Sequence, residues 1–366
     1  MSSLPPQPPQ PPAGVPPQQP VWPAAPAPQS REARGVAFFV AIFLGILLIA
    51  SAGLNVLLFL LSLGSFAGSG LGGGDGNYAE VHVAGTRGAR RKVLSVPIHG
   101  AIAESSTPLI GAAGGTVTQV ERALRLAADD EYQGVVLDID SPGGGVTDSD
   151  EIYQRIRRFR QEHPDKHVVA LFGDMAASGG YYVAVAAERI FARRTSITGS
   201  IGVIMSAWNF SEAAKKFGVE QIAIKSDRTP YKDILSPTRP MTGPEQAMLT
   251  GIVDELFDQF VSVVDEGRQN LDRAQVLALA TGAIYTANQA LQGGLVDELG
   301  DRDAVVTWFE RSLGGDVDIV ESRRRAGLSD LLFGARATPP TAEQALGGLL
   351  ASTTGPRFLY FWEGGR

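Results

Sequence analysis

The chain has 366 residues, enough for one large α/β domain with appended segments. It contains no cysteine, so a thiol nucleophile is excluded. Its net charge of −7 argues against nucleic acid as a partner.

Residues 1–34 are dominated by Pro, Gln and Ala, a composition that buries no core and favours extended, polyproline-like conformations. This tail reads as a disordered spacer or a ligand for proline-recognising partners. Residues 35–63 are almost uninterruptedly apolar, with Ser51 and Asn55 the notable polar positions. A membrane span needs about 20 such residues, so this run is expected to anchor the chain in lipid. It is too long for the apolar core of an ordinary cleavable signal peptide. Arg31 and Arg34 precede it, and no basic residue follows until Arg87. Positive flanks stay inside, which predicts a single-pass protein of the cell membrane with a cytoplasmic N-terminus and an extracytoplasmic main domain. Residues 64–91, with Gly70, Gly72, Gly73 and Gly74, read as a flexible linker. The basic cluster Arg87, Arg90, Arg91 and Lys92 suits either lipid headgroups or plain solvation.

From residue 92 to 320, helical and strand patterns alternate. Val117, Val120, Leu124 and Ala127 recur at helical spacing, the run 134–140 is a buried strand, and Ile152, Ile156 and Phe159 mark the next helix. This alternation predicts an α/β domain with a sheet flanked by helices. A further strand, 167–173, runs into Asp174-Met175-Ala176-Ala177-Ser178-Gly179-Gly180-Tyr181-Tyr182, and an Ala-rich helix follows over 182–187. Ser178 therefore sits where a buried strand gives way to a helix. Unsatisfied amides there would stabilise a developing oxyanion, and Gly179 and Gly180 let a substrate backbone approach. The plain alternative is that Ser178 caps its helix.

A nucleophilic serine needs a base. The histidines, His82, His99, His163 and His167, all precede Ser178 and each reads as structural. A lysine held out of water can serve instead. Lys225 and Lys232 qualify by position, in a strand end followed by a turn-rich loop that runs to Pro237. Beyond them, 243–271 and 272–280 read as helices, the first with Met248, Ile252, Leu256 and Phe260 on one face. Residues 321–366 form a C-terminal tail ending in Phe358-Leu359-Tyr360-Phe361-Trp362. That apolar end must be buried, either by packing on its own or a neighbouring subunit or by lying in a peptide groove.

Ser141-Pro142-Gly143-Gly144-Gly145, then Ala177-Ser178-Gly179-Gly180-Tyr181-Tyr182, then Thr198-Gly199-Ser200-Ile201-Gly202, then Lys232-Asp233-Ile234-Leu235-Ser236-Pro237 occur in one order. In that order the chain resembles, over residues 92–310, the signal peptide peptidase A family, serine peptidases of the ClpP/crotonase superfamily. The glycine run alone suggests a phosphate loop, but no Gly-Lys-Ser/Thr follows it. The resemblance implies a ClpP/crotonase-like α/β fold of stacked ββα units, preceded by one transmembrane helix. It implies a Ser/Lys dyad of Ser178 and Lys232, with Ser200 orienting the lysine. Extra residues between Lys225 and Lys232 depart from the family pattern and keep Lys225 as an alternative base. The amides of Gly144 and Gly179 would form the oxyanion hole. No metal or organic cofactor is implied.

The expected substrates are hydrophobic peptides such as cleaved signal peptides. The expected assembly is a homo-oligomer, an octameric ring by analogy, in which a dyad residue can come from a neighbour. Two other readings use the same fold: a non-catalytic scaffold that binds peptides or membrane proteins, and a crotonase-type acyl-CoA enzyme. The intact Ser178, Ser200 and Lys232 set disfavours the first, and extracytoplasmic placement the second.

Overall fold

The structure, a computed structural model, describes residues 38, 41–56, 78–104, 115–324 and 358–361. The Pro-rich tail over 1–34, both ends of the apolar run 35–63, the linker over 64–77 and residues 325–357 of the C-terminal tail lie outside the described residues. Two compact units divide between Asp75 and Gly76. In the first, residues 41–56 are helical and their large apolar side chains are exposed. Asn55 Nδ2 donates to the Ser51 carbonyl at 2.7 Å, so this polar side chain is satisfied within its own helix. Among the described residues, no helix is long and apolar enough to cross a membrane.

The second unit is an α/β domain. Its strands open with β1 (Tyr78–Gly85), β2 (Arg91–His99), β3 (Tyr132–Ser141), β4 (Gly143–Gly145) and β5 (His167–Ala177). They continue with β6 (Arg189–Ala192), β7 (Ile197–Gly199), β8 (Ile204–Met205), β9 (Ile284–Thr286), β10 (Glu298–Leu299), β11 (Val317–Arg324) and β12 (Phe358–Phe361). Among the described residues, nine strands form one sheet in the order β1-β11-β2-β3-β5-β6-β10, with β7 beside β5 and β9 beside β7. The centre from β11 to β10 is parallel.

Parallel strands covered on both faces read as continuous apolar runs, because alternate side chains serve opposite layers. Leu94, Val135 and Val168 join one buried cluster, whereas their chain neighbours Val93, Val136 and Val169 join the other. The first face is covered by α1 (Thr116–Ala127), α2 (Val146–Glu162) and α3 (Gly179–Ala184). The helical spacing read from the sequence is the spacing buried: α1 turns inward Val117, Val120, Leu124 and Ala127.

Two segments depart from the sequence reading. β1 lies inside 64–91, the stretch expected to be linker. The glycine-rich composition stops at Gly76, and from Tyr78 the backbone pairs with β11, Tyr78 opposite Arg324 through Gly85 opposite Asp318. His82 is thus a strand residue paired with Asp318 at 2.7 Å. The second departure is the loop around α4 (Ser211–Lys216). Residues 219–226 form no strand, although a strand end was expected at Lys225. Ile222 and Ile224 are 81% and 97% exposed, so among the described residues nothing covers the side chains that would favour a strand.

After that loop, α5 (Gly243–Gly267) starts from a Thr242/Glu245 capping box with a proline in its first turn, a strong helix start. Its expected apolar face is only partly used: Phe260 is buried, while Met248 and Ile252 are exposed. Then come α6 (Arg273–Leu279), α7 (Ala287–Gln292) and α8 (Arg302–Leu313). α8 covers the second face of the sheet with Val305, Val306 and Phe309.

Candidate active site

β5 changes neighbours along its length. Val169 through Phe172 pair with β6, then Met175 through Ala177 pair with β7. The switch is fixed by polar side chains: Asp140 Oδ1 accepts from the Met175 amide at 3.1 Å, Ser196 Oγ donates to the Gly173 carbonyl and Thr198 Oγ1 to the Ala176 carbonyl, each at 2.6 Å. Ser178 follows directly, with φ +53° and ψ −117°. This left-handed region is costly for a residue with a side chain and persists only where its surroundings over-determine it. Here the Ser178 amide donates to the Gly199 carbonyl and its own carbonyl accepts from the Tyr182 amide, both at 2.8 Å. The residue is buried, and among the described residues its hydroxyl makes no hydrogen bond.

The register that pairs Ala177 with Gly199 brings Ser200 to the end of the strand beside Ser178. Ser200 also has positive φ, +49°, and its amide donates to the Ala283 carbonyl at 2.7 Å. Among the described residues, the non-glycine residues with positive φ are Ser178, Ser200 and Leu235. Each falls in one of the motifs singled out in the sequence.

The glycine turn of β4 lies against the start of α3. Ile102 clamps it: the Ile102 amide donates to the Gly143 carbonyl at 2.8 Å and the Gly145 amide to the Ile102 carbonyl at 2.9 Å. A Cβ on Gly144 would stand 1.9 Å from the Ile102 oxygen, and one on Gly143, at φ +102°, would stand 2.7 Å from the Gly179 nitrogen. A Cβ on Gly179 would stand 3.1 Å from the Gly144 nitrogen. The backbone segments of Gly144 and Gly179 therefore converge, and their closeness requires glycine. Nothing in the local pattern around Ile102 marked it for this role, because the contact is a single bridge between distant segments. Ser149, whose hydroxyl donates to the Gly145 carbonyl at 2.8 Å, was signalled only by its place one helical turn beyond that glycine.

The lysines stand apart. Lys225 Nζ donates to the Pro230 carbonyl at 2.7 Å and pairs with Asp233. Asp233 also receives Arg239, which reaches Glu245 as well. Hydrogen bonds from Arg239, then from Lys225, hold the Asp233 carboxyl well below the usual range. Arg239, together with the Thr242 amide, holds Glu245 at about 2. This network ties the loop to the first turn of α5. Lys232 is exposed, and among the described residues no hydrogen bond or ion pair joins its side chain to Ser178 or Ser200.

The histidines have partners away from Ser178: His82 with Asp318, His99 with Asp138 at 3.9 Å, His167 with Glu188 at 2.8 Å, and His163 against the Phe159 ring. Among the described residues, no group of three or more His, Cys, Asp or Glu could hold a metal ion. A surface hollow of about 530 Å³ between α1 and α2 is lined by Glu121, Arg125, Glu151 and Arg155, which pair with one another, and it shares no lining residue with this site.

The family described as Peptidase family S49 matches residues 160–315. A Synechocystis sp. protein named as a protease is 40% identical over 232 residues, 63% of this chain and 78% of its own length. An Enterococcus faecium protein named as signal peptide peptidase SppA is 33% identical, over 64% of this chain and 67% of its own. Protease 4 of Haemophilus influenzae is 32% identical over 60% of this chain, but that stretch is 34% of the Haemophilus protein. Among solved structures, the N165D mutant of ClpP1 from Listeria monocytogenes aligns with TM-score 0.38 and 16% identity over 58% of this chain and 94% of its own. By its sequence relatives the chain is a protease. It belongs to peptidase family S49.

Proposed function

We propose that this chain is a membrane-anchored serine endopeptidase that degrades hydrophobic peptides, cleaved signal peptides among them. The observation that carries the reading is the placing of backbone strain. Ser178, Ser200 and Leu235 hold positive φ in three separate motifs, and strain of this kind gathers at functional sites. Ser178 is the nucleophile. Its Oγ attacks the peptide carbonyl while its proton passes to a lysine amine, and the tetrahedral oxyanion is held by the amides of Gly144 and Gly179. The C–N bond then breaks, the lysine returns the proton to the departing amine, and water hydrolyses the acyl-serine ester.

Lys232 is the base. Lys225 is engaged within its own loop, by Asp233 and by the Pro230 carbonyl, and so is tied away from Ser178. Among the described residues Lys232 is paired with no carboxylate, and its chain neighbour Asp233 is held by Arg239. Ser200 orients it when it arrives at Ser178. We assign that lysine to a neighbouring subunit, in a homo-oligomer that forms an octameric ring by analogy. The support is the exposed apolar surface of the same loop: Trp208, Phe210, Phe217, Ile222 and Ile224 are all more than half exposed in the single chain. Large apolar side chains left exposed together in one loop suit association. The anchor is the run 35–63, with the N-terminus cytoplasmic and the peptidase domain extracytoplasmic.

Cleavage of a fluorogenic hydrophobic peptide tests the reading, with Ser178→Ala compared to wild type at matched fold and assembly. Loss confined to the variant is expected; equal turnover by both would remove Ser178 from the mechanism.

A further inference from the structure

The glycine motif over 141–145 carries a side chain with no part in the chemistry assigned to Ser178 and Lys232. Ser141 ends β3 opposite Ala176 of β5, two residues before the nucleophile. It is fully buried. Its Oγ donates to the Gly100 carbonyl at 2.6 Å and accepts from the Gly143 amide at 3.1 Å. A hydroxyl has a single proton, so the bond to Gly100 fixes its rotation and turns a lone pair toward Gly143. Among the described residues, no other side chain hydrogen-bonds to residues 142–144.

The bond decides how the glycine amides are divided. Ser141 takes the Gly143 N–H, and the Ile102 carbonyl takes the Gly145 N–H at 2.9 Å. The Gly143 carbonyl accepts from the Ile102 amide at 2.8 Å. In a trans peptide the C=O and the following N–H point opposite ways. The Gly144 N–H therefore points away from Ile102, toward the edge of β4 where β12 pairs with Tyr360 opposite Gly144. A Cβ on Gly179 would stand 3.1 Å from that nitrogen, which places it beside the residue that follows Ser178. Gly100 and Ile102 leave β2 together, and the Gly100 amide donates to the Asp140 carbonyl at 2.9 Å. One short segment thus suspends the turn, through Ser141 at one point and through Ile102 at the next. At Gly143, φ +102°, no side chain resists backbone rotation, so an anchor must come from elsewhere. Rotation there would carry the Gly144 N–H with it.

We propose that Ser141 is a positioning residue for the oxyanion site: its hydroxyl locks the glycine turn so that the Gly144 N–H, among the three glycine amides, faces the carbonyl under attack. It acts through Gly144 and does not touch the substrate. This deepens the peptidase reading and rests on it.

The test compares full-length wild type with Ser141→Ala at matched fold and assembly. With a fluorogenic hydrophobic peptide, kcat is expected to fall about 10- to 100-fold with KM little changed, a milder loss than deletion of an oxyanion donor. The pH dependence of kcat/KM should keep its shape, because the base is untouched. A peptide aldehyde forms an adduct with Ser178 whose oxygen lies where the oxyanion develops, so its affinity should fall by the same factor as kcat. The matching peptide alcohol forms no adduct and should bind both proteins equally. This contrast separates positioning from a general loosening of the site, which would weaken both ligands. If Ser141→Ala does not fold, Ser141→Cys replaces it: a thiol fills the space but accepts poorly from an amide, and it should show the same split with a loss of kcat of about tenfold or more. Unchanged kcat in a folded variant, or parallel weakening of aldehyde and alcohol, would overturn the proposal and leave Ser178 catalysis standing. Wild type that neither cleaves the peptide nor forms the aldehyde adduct would sink the peptidase reading, and the positioning role with it.

Discussion

The Ser178 region and the Lys232 loop are built to opposite plans. Around Ser178 every element is enclosed: β5, β7 and α3 are buried, backbone groups on both sides of the serine are bonded, and the glycines leave no room for a Cβ. The loop that carries Lys232 exposes its apolar side chains and is fastened mainly at one point, where Arg239 bridges Asp233 and Glu245. Rigid elements hold a nucleophile and its oxyanion amides within the narrow tolerance catalysis demands. On the proposed reading, a base supplied by another copy would tie activity to assembly.

The sharpest way to break this comparison is to remove each half in turn. Ser178→Ala and Lys232→Ala should each lower kcat/KM by on the order of 10⁴-fold or more, as losses from a unit that acts together do. Mixing the two inactive variants under subunit exchange should restore activity in part. Failure to complement would place the lysine in the same chain as its serine. A lysine base works only when unprotonated, so wild-type kcat/KM should rise with pH, and a pH-rate profile checks this.

Next come losses of stability confined to the enclosed region. Phe260→Ala removes a fully buried ring and should cost about 3–5 kcal/mol in denaturant unfolding. Asp297→Asn should cost a similar amount, about 3–5 kcal/mol, because it leaves the buried Arg268 guanidinium without its partner. Burial alone would raise the Asp297 carboxyl, but hydrogen bonds and charge from Arg268 outweigh it and hold the group below its ordinary value. A depressed carboxyl stabilises the fold above its unfolded pKa and loses that contribution as pH falls through the folded one. Wild type should therefore lose stability on acidification below about pH 4, and Asp297→Asn should flatten that limb.

Gly179→Ala acts on the chemistry more than on the fold. Its methyl group would press on Ser149 Oγ at 2.5 Å and displace the Gly144 amide, so kcat should fall by about 10²- to 10³-fold. The smallest expected effect lies in the open loop. Ile224→Ser, at a side chain 97% exposed, should change the unfolding free energy of the isolated chain by less than about 0.5 kcal/mol. It should nonetheless weaken assembly, which analytical ultracentrifugation would show. A large loss of stability without any change in assembly would erase the difference between the two regions.

What the sequence determined by itself is local. The apolar spacing of Val117 to Ala127 became α1, and the change from strand pattern to glycine and alanine marked the point where Ser178 sits. With no histidine after residue 167, lysine is the candidate base that the sequence offers beyond Ser178. Periodicity and turn chemistry act over a few residues, so such features can be read directly. Only the tertiary structure decided the rest. Ser200 stands beside Ser178 because β7 pairs parallel with the end of β5, and β1 is a strand because β11 supplies its partner. The exposure of Lys232 and the seating of Tyr360 at the glycine turn likewise depend on residues far away in the chain. Strand pairing and burial are settled by neighbours distant in sequence, and a local pattern carries no record of which neighbour will be there.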